Sequence, residues 1–166
     1  MKKTALILVL AIFVGIFCFS PCAGADSYLS NSAKEFAFAM DGDGITYTYN
    51  GSDSGQDWFT IKYTTDYFNP LNVDFYFVPD DSAVFTYCWN VLSFEAEKAA
   101  EVKDIVNRLN GENYFVTYYY DESDNSLTIS SENWLGGNVG VVCSRVADAL
   151  TRGADAAYEA LESLCK

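Results

Sequence analysis

The residues able to do chemistry in this chain are its carboxylates and its thiols. Histidine does not occur anywhere in the 166 residues, which removes Ser-His-Asp and Cys-His catalysis and histidine-bound metal together. Gly-x-Gly-x-x-Gly, a Walker phosphate loop and Cys-x-x-Cys are absent too. The 23 acidic residues leave open a paired-carboxylate hydrolase of the glycosidase kind. They fall mostly in turns and on wet helix faces, however, and no two are marked out as a pair. Asp41-Gly42-Asp43-Gly44 alternates as a calcium loop does, but it lacks the closing Glu at the required offset and reads as turn chemistry. No catalytic residue, metal ligand or cofactor is expected, and the chain reads as a non-enzyme.

The thiols depend on where the chain resides. Residues 1–25 have the layout of a secretory signal: Lys2 and Lys3, an apolar run from Ala5 to Phe19, and the small-x-small site Ala23-Gly24-Ala25. That run is shorter than the roughly 20 residues a spanning helix needs. Cleavage after Ala25 is therefore expected, with no stable membrane insertion afterwards. One domain, 26–166, would then stand in the periplasm, the cell wall or the medium. The chain carries a net charge of −13. The segment removed holds two of its 10 basic residues and no acidic one, so eight remain against 23 and the charge becomes −15. Nucleic acid or an anionic membrane would be repelled, whereas a cationic partner would not. Three cysteines remain after cleavage. Cys88 on a strand and Cys143 on the buried stripe of the last helix either pair across the core or stay as two buried thiols. Cys143 and Cys165 would lie roughly 33 Å apart on one continuous helix, too far to bond.

The elements that position these groups follow from periodicity. Ser93 is expected to cap a helix in which Val102, Ile105, Val106 and Leu109 share one face. Asp104 and Arg108 support it at i, i+4, and Gly111 ends it in the left-handed conformation. The period then changes to two. Residues 114–120 and 126–131 form a hairpin around the polar turn Asp121-Glu122-Ser123-Asp124-Asn125. Upstream, a short helix over 32–40 precedes four strand-like stretches at 45–49, 58–63, 73–78 and 84–91, with residues 51–55 as the loosest link. Tyr47, Tyr49, Tyr63, Tyr76 and Tyr87 read either as a ligand platform or, more commonly for strand aromatics, as sheet packing. After the joint Gly136-Gly137, Asn138 caps a long final helix reaching Lys166, with Gly153 on its apolar stripe. The fold class is α+β: an antiparallel meandering sheet flanked by helices, in the order α-β-β-β-(β)-α-β-β-α.

Residues 90–166 resemble the YbjN family, whose domain is similar to type III secretion chaperones. The residues that carry the resemblance are Val106-Asn107-Arg108-Leu109-Asn110, Tyr114-Phe115, the turn from Asp121, and Gly136-Gly137-Asn138-Val139. The strands before them match by order alone. The resemblance implies a domain, often a homodimer, that holds an extended protein or peptide partner rather than doing chemistry. An exported, non-catalytic, chaperone-like interaction domain is the resulting expectation, with an extracytoplasmic small-ligand-binding protein as the alternative. The first requires an exposed apolar patch between sheet and helices. The second requires an enclosed apolar cavity with a few polar groups.

Overall fold

The computed structural model describes residues 28–166; the signal-type segment 1–25 lies outside them. The chain forms α1 (Asn31–Gly42), β1 (Tyr47–Asp53), β2 (Gln56–Tyr63), β3 (Leu71–Phe77) and β4 (Ala83–Ser93), then α2 (Ala99–Glu112), β5 (Thr117–Asp121), β6 (Ser126–Trp134) and α3 (Val139–Leu161). All six strands join one antiparallel sheet in the order β1-β2-β3-β4-β6-β5. The α+β class and the expected element order hold, with four strands before α2. The meander covers β1 to β4 only. The β5–β6 hairpin then docks by its second strand on β4, which leaves β5 outermost.

Strand alternation divides the sheet into two faces. Phe59, Ile61, Val73, Phe75, Phe77, Val84, Cys88 and Ile129 are buried together with the apolar stripes of the helices. Phe36 of α1 inserts among Phe59, Phe75 and Phe77 at 5.0–5.1 Å between ring centroids. Two carboxylates, Asp57 of β2 and Asp81 of the β3–β4 turn, fasten the positive end of α1. Asp57, fully buried, accepts from the Leu29 and Ser30 N–H groups at 2.8 and 3.0 Å. Its other oxygen accepts from the Tyr49 hydroxyl at 2.9 Å. Asp81 accepts from the Ser32 N–H at 2.7 Å, and Ser30 itself caps Ala33.

α3 begins where expected, with Asn138 Oδ1 accepting from the Val141 N–H at 3.0 Å. It crosses α1 at Gly140, where an added Cβ would lie 2.6 Å from Ala39 Cβ. Gly153 brings it near the sheet, where an added Cβ would lie 3.2 Å from the Tyr118 hydroxyl, and its carbonyl accepts from that hydroxyl at 3.2 Å.

Several local expectations are corrected. Ser93 is not a cap but the last residue of β4. Its carbonyl accepts from the Lys166 N–H and the next N–H, of Phe94, donates to Asn125. Phe94 is fully buried, so paired, extended backbone prevails over capping, and α2 starts only at Ala99 after a 3-10 turn at Ala96–Lys98. Gly111 lies inside α2, which Asn113 ends by donating twice to the Leu109 carbonyl. Arg108 pairs with Glu112 at 3.2 Å rather than with Asp104. Residues 51–53 continue β1 past a bulge between Tyr49 and Gly51. Ser54 and Gly55, both at positive φ, then make a two-residue hairpin turn. β5 starts at Thr117, three residues later than expected, and α3 ends at Leu161 before a second 3-10 turn.

Candidate functional site

Most of the residues on which the resemblance in sequence rests go to structural work. Val106 is buried on α2, and Asn107 is exposed. Asn110 reaches β5, where its Nδ2 donates to the Tyr118 carbonyl at 2.9 Å and its Oδ1 accepts from the Tyr118 N–H at 2.8 Å. A side-chain amide thus stands in for a neighbouring strand. Asp121 accepts from the Ser123 N–H at 2.7 Å within the turn, and the Ser123 hydrogen bonds hold its carboxyl below the usual range. Gly137, at φ +117°, sets the turn after Gly136 into α3.

Cys88 and Cys143 are free, buried thiols. Burial pushes both up to about 12. Tyr63, between them in its electrostatic surroundings, also rises to about 12, first through burial and then through Cys143 and Cys88. The structure holds the two as separate thiols. Neither thiol is a ready nucleophile, because the thiolate is the reactive form.

The five tyrosines separate by strand parity. Tyr47 and Tyr49 face the helices, packing on Phe36 and Tyr28 at 6.2 and 4.7 Å, and Tyr63 packs against the same core. Tyr76 and Tyr87 lie on the opposite, solvent-facing side with Trp58, Phe85 and Trp89. Trp58 stacks on Tyr76, Tyr76 meets Tyr87 edge-on, and Tyr87 stacks on Trp89 at 4.3 Å. Asp53 and Gln56, from the β1–β2 hairpin tip, close a recess of about 370 Å³ over these rings.

A second exposed region involves α1, α3, the segment before β5 and the end of β6. Phe38 of α1, Val141 of α3, Phe115 before β5 and Trp134 at the end of β6 are all largely in solvent. Two recesses, of about 480 and 270 Å³, sit on either side of Arg145 and join them into one surface. The first is bounded by Phe38, Val141 and Asp43, the second by Phe115, Trp134 and Val142. Sequence reading missed this surface, although it carried a signal. Phe38 falls off the Phe36–Met40 stripe, and Phe115 falls on the outward-pointing set of its strand.

No family model matches the chain, and no curated protein matches it. Among solved structures it is similar to a crystal structure of an uncharacterized protein from Methanothermobacter thermautotrophicus. The two are 16% identical, with a TM-score of 0.54 over 80% of this chain and 99% of that one. The likeness is one of fold. It assigns no role to either exposed region.

Proposed function

We propose that the chain is an exported, non-catalytic protein-interaction domain whose apolar surface around Arg145 takes a second copy of itself. One observation carries this reading: large apolar side chains stand in solvent on three adjoining elements. Phe38 is 81% exposed, Phe115 80% and Trp134 75%. Aromatic side chains of this kind remove about 150–250 Å² each when covered. These three with Val141 and Val142 come to the order of the ~800 Å² per partner of a standard interface. Exposed patches of that extent mark binding surfaces on soluble proteins. Export rests on the layout of residues 1–25, and the family resemblance favours the same dimeric, partner-holding role.

Light scattering on the purified chain tests the reading. The expected mass is that of a dimer, unchanged by reductant, since the thiols take no part. The double variant Phe38→Ser, Trp134→Ser should return a monomer with an unchanged circular dichroism spectrum. A monomeric wild type at high micromolar concentration overturns it.

A further inference from the structure

We propose that the recess on the solvent-facing side of the sheet binds a small organic ammonium ion of the quaternary type. The inference is independent of the dimer surface and rests on the recess lining: Tyr76, Phe85, Tyr87, Trp89, Asp53 and Gln56. Four of these six are aromatic, one is a carboxylate, and none is basic. Ring faces carry the negative part of the aromatic quadrupole and attract a cation placed over them.

The geometry suits such a guest. Tyr76 and Tyr87 meet at an interplanar angle of 78° with centroids 5.8 Å apart, which makes a corner rather than a flat wall. Trp89 lies parallel to Tyr87 at 13°, so its indole doubles one side of that corner. Trp58 backs Tyr76 in the same way at 15°. Negative potential gathers at the same place. Burial raises the Tyr76 hydroxyl above its ordinary value, Asp74 and Asp53 raise it further, and a hydrogen bond with Trp89 opposes them. The charge of −13 over the chain draws cations toward all its surfaces.

Other guests fit less well. A bare metal ion of the calcium kind needs six or more oxygen ligands, and no group of three potential ligands occurs among the described residues. An anion would meet Asp53 and find no positive side chain. An alkylated ammonium, whose charge is spread over an apolar shell, satisfies the rings and the carboxylate together. A recess of about 370 Å³ lies at the small end of ligand pockets.

The test is calorimetric titration of the purified chain with choline and with its uncharged isostere, 3,3-dimethylbutan-1-ol. Shape and apolar area are the same in the two, and only the charge differs. Choline is expected to saturate a single site and to bind about two- to fivefold more tightly than the alcohol, the order of a solvent-exposed cation–π contact. Asp53→Asn should weaken choline several-fold and leave the alcohol unchanged, whereas Trp89→Leu should weaken both. Asp53 is exposed at the end of β1, so its variant keeps the test decisive even if Trp89→Leu fails to fold. Equal affinity for the two compounds, no saturable choline binding, or choline binding indifferent to Asp53→Asn each overturns the proposal.

Discussion

Cys88 and Cys143 show how burial, joined at Cys88 by the charge of Asp74, disarms a nucleophilic side chain. The sequence offered them as a bridge or as two small hydrophobes, and spacing could not decide, because pairing depends on how strand and helix meet. Their surroundings keep both protonated far beyond the thiol value of 9.0, up to about 12, with Tyr63 raised from 10.0 to about 12 beside them. The folded pKa values lie above the unfolded ones. The stability these groups confer is therefore complete below about pH 9 and drains away as the pH rises toward about 12. Urea midpoints measured at pH 7, 9.5 and 10.5 should fall steadily. Cys88→Ala, Cys143→Ala should flatten the fall while lowering the midpoint at pH 7.

At the scale of elements, the helices are held at close contacts that periodicity cannot reveal. Strand count and helix order were legible, because apolar residues recur at two and at 3.6. The start of α2 was not. A serine before a helical stripe reads as a cap, and only the tertiary pairing of Phe94 and of the Ser93 carbonyl makes it a strand end. Gly140 was equally silent, since nothing local shows that Ala39 lies 2.6 Å from its missing Cβ. Gly140→Ala should destabilise the domain by about 1–2 kcal/mol, because overpacking two fixed Cβ atoms outweighs the ~1 kcal/mol gained in helix propensity. Ala39→Gly in the same chain should recover most of that loss, a coupling that a double-mutant cycle measures.

Across the whole molecule, the two exposed regions differ in how far the sequence foretold them. The tyrosine platform was named in advance, but only Tyr76 and Tyr87 of its five members face solvent, since strand parity sends Tyr47, Tyr49 and Tyr63 to the core. The apolar surface joins α1, β5, β6 and α3, and neighbours so distant in sequence leave no shared pattern. Integrity of the whole also depends on Asn110, whose single amide satisfies both backbone groups of the buried Tyr118. Asn110→Ala strands a donor and an acceptor and should cost about 2–4 kcal/mol in urea unfolding, at the 1–3 kcal/mol typical of each. Asn110→Gln, one methylene longer, should recover little, because both bonds need the original reach.

That same asparagine governs how copies of the chain can meet. An outermost strand with free N–H and C=O groups invites another strand to add to it and starts open-ended polymerisation. At β5 the Asn110 amide already occupies both backbone groups of Tyr118, and at β1 the bulge at Tyr49/Gly51 bends the opposite rim out of register. Both rims of the sheet are blunted against templated growth. In the proposed dimer, contact therefore falls to side chains on the faces rather than to strand addition at the rims.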